Sequence, residues 1–349
     1  MAKSKTVRAA VLGASGYTGA DMIRLAARHP AIKLTALVAK SHAGQSLAQV
    51  FPHLASLDLP KLVTPEEVDW SSVDIAFCGL PHGTAHSEIA KLPKHIKVID
   101  MSADFRLRDP GLYAEWYTNE HSAPAVLAEA VYGLTELYRA TIKDARVVAC
   151  PGCYPTAVLL ALQPLAKAKL IETTDIIIDA KSGVSGAGRS LKQNLLFSEA
   201  GEGLSPYGVG NHRHVPEIEQ ELGLAAGSRV TINFTPHLAP MSRGELCTSY
   251  VRLAGEATAA DLRQALSRAY TDEPFVRVLE DGAIPATQHV RGSNFCHIGI
   301  FADRIQGRAI VVSAIDNLVK GSAGQALQNF NVMHGFAETA GLEQLPLFP

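Results

Sequence analysis

The chain has 349 residues, of which 47% are hydrophobic, and 32 lysines and arginines stand against 34 aspartates and glutamates, a formal net charge of −2. That length allows about two domains with sizeable cores. The near-neutral balance gives no reason to expect a nucleic-acid partner, and no apolar run reaches the roughly 18 residues of a membrane span.

In chain order, Met1 to Arg8 is basic, but the apolar stretch that follows is broken by Gly13, Ser15 and Gly16 and lacks a signal-peptide core. Residues 7–12 predict a strand and residues 20–28 a helix, with the turn Gly13-Ala-Ser15-Gly16-Tyr17-Thr18-Gly19 between them. Glycines there permit a tight turn and close approach of the backbone to a pyrophosphate, which the helix N-terminus attracts. The spacing is G-x-x-G-x-x-G rather than G-x-G-x-x-G. An NAD site places an acid about 20 residues further on, against the ribose 2′-hydroxyl. Here no acidic residue lies between Asp21 and Asp58, and the second strand, over 33–39, runs into Lys40 and Ser41. A cation and a hydroxyl suit a 2′-phosphate, so the expected cofactor is NADP(H).

Further strands are expected over 74–80, 97–101 and 146–150. Strands interleaved with helices over about the first 150 residues predict a doubly wound parallel sheet. Ser102-Ala-Asp104-Phe-Arg106 follows one of these strands, where Arg106 can fork to a carboxylate or phosphate. A helix is expected over 156–169, kinked or broken at Pro164. Beyond it, β-type runs over 175–179, 229–234, 245–253, 294–301 and 308–315, with one strong helix over 257–270, predict an α+β domain with a mostly antiparallel sheet. A last helix, from 322 to about 334, is placed to return to the first domain.

Five cysteines are too few for a disulfide scaffold, and an odd count leaves a thiol free, which points to a reducing, cytoplasmic setting. Cys78, Cys150, Cys247 and Cys296 lie in β-type runs, where free cysteine behaves as a small buried hydrophobe. Cys153 differs, standing between a strand and a helix with Pro155 near its first turn. A helix N-terminus stabilises a thiolate and lowers a pKa that starts near ~8.5. Cys150-x-x-Cys153 is also compatible with redox or zinc chemistry, although no second cysteine pair follows. For an acid or base, the chain offers His212-Arg213-His214 on a glycine-rich approach, and His237 in Thr-Pro-His237-Leu-Ala-Pro. Lys181-Ser182-Gly183-Val-Ser-Gly186-Ala-Gly188-Arg189 sets backbone N–H groups beside cations.

Together these segments resemble the N-acetyl-gamma-glutamyl-phosphate reductase family, relatives of the aspartate-semialdehyde dehydrogenases. The likeness spans nearly the whole chain: the glycine turn, Leu80-Pro-His-Gly83, Asp100 to Arg106, Val131 to Glu136, Pro151-Gly-Cys-Tyr-Pro-Thr156, Lys181 to Arg189, Asn211 to Glu217, His237 to Gly244 and Asp316 to Gly321. It implies that Cys153 attacks an acyl phosphate to form a thioester, which NADPH reduces, with His214 as acid and base. It further implies Arg106 at the phosphate and Asn317 at the nicotinamide amide. Ser182 and Gly183 are expected at the cofactor, and His212, His237 and Arg243 at the substrate. The expected organisation is an NADP-binding domain of residues 1–152 with about 317–349, and a catalytic and oligomerisation domain of 153–316, in a homotetramer or homodimer acting on a small acyl phosphate without metal. Alternatives are another acyl-phosphate reductase, such as one using aspartyl phosphate or a carrier-linked glutamyl or aminoadipyl phosphate, and a non-catalytic NADP-binding regulator, which would need neither Cys153 nor His214.

Overall fold

In the computed structural model, residues 6–349 are described; the basic start read above lies mostly outside them, at Met1–Lys5. The chain divides into two compact units, one running to Pro151 and including Ser322–Glu343, the other comprising Gly152–Gly321 with Gln344–Pro349.

The first unit is built on a seven-stranded sheet. Its strands are β1 (Val7–Leu12), β2 (Ile32–Val38), β3 (Leu62–Val63), β4 (Ile75–Cys78), β5 (Lys97–Asp100), β6 (Val131–Tyr132) and β7 (Val147–Ala149), in the order β3-β2-β1-β4-β5-β7-β6. Every neighbouring pair is parallel. Helices on both faces bury a parallel sheet, hence the near-continuous apolar runs: all four residues of β4 are inaccessible. β3 and β6 were not anticipated; two residues carry no alternation to read. The Gly324–His334 helix packs on β5 and on the Tyr17–Ala26 and Thr135–Asp144 helices. It buries Asn329 and Asn331 completely, because each amide is satisfied: Asn329 donates to Gly133 O at 2.8 Å, and Asn331 to Glu338 O and Ala340 O at 3.0 and 2.9 Å.

The second unit holds β8 (Ile176–Gly183), β9 (Ser205–Pro206), β10 (Ile232–Ala239), β11 (Glu245–Arg252), β12 (Val276–Val278), β13 (Cys296–Ala302) and β14 (Arg308–Ile315), ordered β12-β13-β14-β11-β8-β10-β9. Four pairings are antiparallel; β8 with β10 and β12 with β13 are parallel, so the sheet is mixed and mostly antiparallel. β8 and β11 alternate buried and half-buried residues, the period-two signature of a sheet covered on one face. The covering helix, Cys153–Lys167, packs on β11, β14 and the Val215–Ala226 and Ala259–Ala269 helices.

Two expectations change. The helix starts at Cys153 itself, and it runs through Pro164 to Lys167 rather than breaking there. Proline removes the N–H that would bond the carbonyl four residues back. That carbonyl, Leu160 O, accepts instead from the Tyr270 hydroxyl at 2.6 Å. β10 also extends well past its expected end and contains Pro236, a residue that argues against a strand interior. No helix of the described residues is long and apolar enough to cross a membrane.

Candidate active site

The glycine turn lies where β1 ends beside β4, with Leu12 paired to Cys78, at the point where the strand order reverses direction. Ligands of open α/β sheets bind outside such strand ends. Gly13 has φ +81°, and a Cβ there would lie 2.4 Å from Gly79 O. A Cβ on Gly19 would lie 2.3 Å from Gly13 O, so both positions require glycine. Gly16 caps the Tyr17–Ala26 helix with no side chain over its first N–H groups. Ser15, Tyr17 and Thr18 complete the turn. After β2, Lys40 is well exposed and 3.7 Å from Glu88, whose carboxylate Lys91 also holds at 3.0 Å. Ser41 Oγ pairs with His42 Nδ1 at 2.8 Å. A backbone cradle at a helix start, followed by two lysines sharing one acid, fits a phosphorylated dinucleotide.

Arg106 also belongs to the first unit. It is buried, its Nε donating to Cys150 O at 2.8 Å and its Nη2 to Met101 O at 3.2 Å. Asp104, close by in sequence, accepts from Gly83 N, His86 N and the Tyr113 hydroxyl. The Ser102–Arg106 turn is therefore tied to the segments around it, at Gly83, His86, Met101, Tyr113 and Cys150.

In the second unit Cys153 is the first residue of its helix and is partly exposed, unlike the other four cysteines; all five are free thiols. Gly152 caps that helix, and its N–H donates to Glu217 Oε1 at 2.9 Å. The His214 imidazole lies directly on Gly152: a Cβ there would be 2.4 Å from its Nε2. Gly321 approaches Cys153 from another side, where a Cβ would be 2.8 Å from the cysteine Cβ. Glycine at both positions lets the His214 ring approach the helix cap and the backbone at 321 approach Cys153.

His214 is itself held. It sits at the start of the Val215–Ala226 helix, and its backbone N–H donates to His212 Nδ1 at 3.2 Å. Burial, aided by the Arg213 charge, pushes His212 down to about 4, keeping that nitrogen an acceptor at neutral pH. The Tyr154 ring meets both imidazoles edge-on, with centroids 5.8 Å away. His214 and Cys153, both expected from the sequence, thus lie next to the same residue, Gly152, one by its ring and the other along the chain.

The remaining expected residues form a second group in this unit. His237 Nδ1 is 3.3 Å from Asp179 Oδ1, beside the Lys181–Asp179 ion pair. Ser182 is buried, and Gly183 is packed so that a Cβ would lie 2.8 Å from Met241 O. Asn317 accepts from Gly244 N at 2.9 Å and donates to Ser185 Oγ at 3.0 Å, joining two loops. Arg243 reaches the fully buried Asp316 at 3.5 Å. Two carboxylates went unassigned from sequence. Glu217 stood inside a quoted motif, its helical spacing from His214 being the available signal. Glu245, inaccessible at the start of β11, gave none. Burial raises it to about 8, opposed by a hydrogen bond with Cys153 and reinforced by Asp316.

Residues 8–145 match the semialdehyde dehydrogenase NAD-binding domain and residues 153–317 the semialdehyde dehydrogenase dimerisation domain. Solved aspartate-semialdehyde dehydrogenases share the fold: that of Vibrio cholerae (form II) has a TM-score of 0.71 at 16% identity, covering 94% of this chain and 98% of the other. That of Candida albicans has a TM-score of 0.69 at 17% identity, covering 97% and 99%. The class is therefore that of the semialdehyde dehydrogenases, a nucleotide domain joined to a cysteine-bearing one.

Within that class the sequence is closer to one branch. It is 57% identical over 351 residues to the N-acetyl-gamma-glutamyl-phosphate reductase of Rhodospirillum rubrum, covering 99% of this chain and 100% of the relative. It is 56% identical over 345 residues to a probable chloroplastic N-acetyl-gamma-glutamyl-phosphate reductase of Arabidopsis thaliana, covering 99% and 86%. The chain belongs to the N-acetyl-gamma-glutamyl-phosphate reductase family.

Proposed function

We propose that this protein is an NADPH-dependent oxidoreductase that reduces N-acetyl-L-glutamyl 5-phosphate to N-acetyl-L-glutamate 5-semialdehyde and phosphate, a step of arginine biosynthesis. The observation that carries the reading is the His214 imidazole laid on Gly152, one residue from a partly exposed cysteine at a helix start.

Cys153 is the nucleophile. Its thiol proton passes to His214, the sulfur forms a bond to the acyl carbon, and the carbon–oxygen bond to phosphate breaks with its electron pair leaving on phosphate. A thioester remains on Cys153. NADPH, when bound, would supply hydride to the thioester carbon, and the proton held by His214 passes to the oxygen so formed, leaving His214 free to act as a base again. As the hemithioacetal collapses, the carbon–sulfur pair returns to Cys153 and His214 removes the hydroxyl proton. A soft thiolate suits both halves, because it attacks well and leaves well. The residues about His214 support this role: Glu217 fixes the Gly152 N–H, and neutral His212 fixes the imidazole's backbone.

Arg106 is assigned to the phosphate, its two backbone bonds setting the plane of the guanidinium. His212, His237 and Arg243 are assigned to the substrate, and Ser182, Gly183 and Asn317 to the nicotinamide end of the cofactor. Gly13 to Gly19 hold the pyrophosphate, with Lys40 and Ser41 at the 2′-phosphate. Ile177, Tyr250 and Ile310 form a half-buried apolar row across β8, β11 and β14, which supports a homodimer or homotetramer formed on that face. Five free thiols support work in the reducing cytoplasm.

The test is phosphate-dependent reduction of NADP by the purified protein, with N-acetylglutamate semialdehyde and aspartate semialdehyde side by side. The acetylated substrate is used faster, and Cys153→Ser loses about 10⁴-fold or more of the rate, the scale of a lost nucleophile. Faster use of aspartate semialdehyde overturns the substrate, and near-normal turnover by Cys153→Ser overturns the thioester.

A further inference from the structure

Glu245 is the first residue of β11, facing Ser182 on β8 and Ile315 on β14. Gly244, at φ +109° with Thr287 where a Cβ would go, turns the chain so that the carboxyl enters the unit rather than solvent. Side chains two apart on a strand share a face, so Glu245 stands with the inaccessible Cys247 beneath the Cys153–Lys167 helix. Neither carboxyl oxygen has a nitrogen or oxygen donor among the described residues. The polar group that meets it is the Cys153 thiol. The other ionisable groups around it are Tyr154 on the same helix, Tyr207 after β9 and Asp316 after β14; Lys181 on β8 acts on the neighbouring Cys247. Apart from that lysine and Arg243, which pairs with Asp316 at 3.5 Å, each group named is neutral or acidic.

An ionised carboxylate in this place would carry a buried charge with only the weak thiol donor of Cys153 against it, and would repel the thiolate once that proton has left. A carboxylic acid removes both penalties and turns the same group into a donor. We propose that Glu245 is a further catalytic residue, a neutral carboxylic acid whose O–H donates to the Cys153 sulfur and stabilises the thiolate as it attacks and again as it is expelled. This rests on Cys153 being the nucleophile. No proton leaves Glu245 in the cycle: His214 takes the thiol proton, gives it to the reduced oxygen and takes it back on collapse, and the carbon–sulfur electron pair returns to a sulfur already holding a hydrogen bond. His214 and Glu245 thus divide the work, the first moving protons and the second holding charge. Burial, with Asp316 adding to it, supports the neutral form up to a pH of about 8.

Alkylation of Cys153 by iodoacetamide at neutral pH, followed on the Cys153 peptide by mass spectrometry, reads thiolate without requiring the reaction. Glu245→Leu slows it about tenfold or more, one pKa unit or more of lost thiolate stabilisation. Glu245→Gln, whose amide also donates, stays within about threefold of wild type. The alkaline limb of kcat/KM that begins near pH 8 in wild type is absent from Glu245→Gln. Alkylation that is unchanged or faster in Glu245→Leu overturns the proposal, since an ionised or idle carboxylate gives that result. Should the variants not fold, wild type still decides: infrared difference spectra show a carboxylic-acid C=O band at neutral pH, moved by Cys153→Ser, and its absence overturns the assignment. If instead Cys153→Ser keeps its turnover while these thiol readouts behave as stated, it is the thioester reading that fails.

Discussion

A methyl group at residue 152 would lie 2.4 Å from Nε2 of His214, so Gly152→Ala must push the imidazole off the helix cap. Turnover falls about 10²–10⁴-fold, the range for a lost general acid–base, while Cys153 stays in place and the thermal midpoint moves little. A drop in rate with NADP affinity near wild type checks this; an unchanged rate would place His214 outside the chemistry. Residues such as Cys153 and His214 were legible because their signals are local: a thiol after a strand, histidines before a helix. Glu245 was not, since its meeting with Cys153 depends on how a helix crosses a sheet, a relation no spacing encodes. Asn317 and Arg106 were legible as polar residues in loops, but not their ties to Gly244, Ser185, Met101 and Cys150.

The helix that carries Cys153 shows how an element can contradict its own composition. Pro164 cost Leu160 O its helical partner, and the Tyr270 hydroxyl took the vacant place. Tyr270→Phe leaves that carbonyl buried and unsatisfied, at about 1–3 kcal/mol. In a Pro164→Ala background the N–H returns and the same substitution costs much less, a coupling that thermal unfolding of the four proteins measures. Equal losses in both backgrounds would show the two residues to be independent. Sequence periodicity read the long strands of the parallel sheet well, because both faces are apolar. It stopped β10 short at Pro236 and passed over β3, β6 and β9, where a proline or a two-residue span hides the pattern.

For the whole molecule, two buried groups shape the response to pH in opposite senses. His212 falls from 6.5 to about 4 on folding, so its contribution is present above 6.5 and lost as pH drops toward 4. Glu245 rises from 4.5 to about 8, so its contribution is full below 4.5 and lost as pH climbs to 8. Between about pH 6.5 and 8 Glu245 acts without His212, and thermal midpoints of wild type fall across that window. In Glu245→Gln the slope flattens, whatever the absolute stability of the variant; parallel slopes would mean that Glu245 ionises alike folded and unfolded.

Cys78, Cys150, Cys247 and Cys296 are sealed from solvent and Cys153 is not. A thiol reagent therefore meets one sulfur per chain, and under the proposed mechanism its stoichiometry on folded protein counts the molecules able to begin a turnover. The same asymmetry gives oxidants a single point of entry, so with Cys153 as the nucleophile peroxide damage and loss of function become one event, reversible by thiols at the sulfenic stage and permanent beyond it.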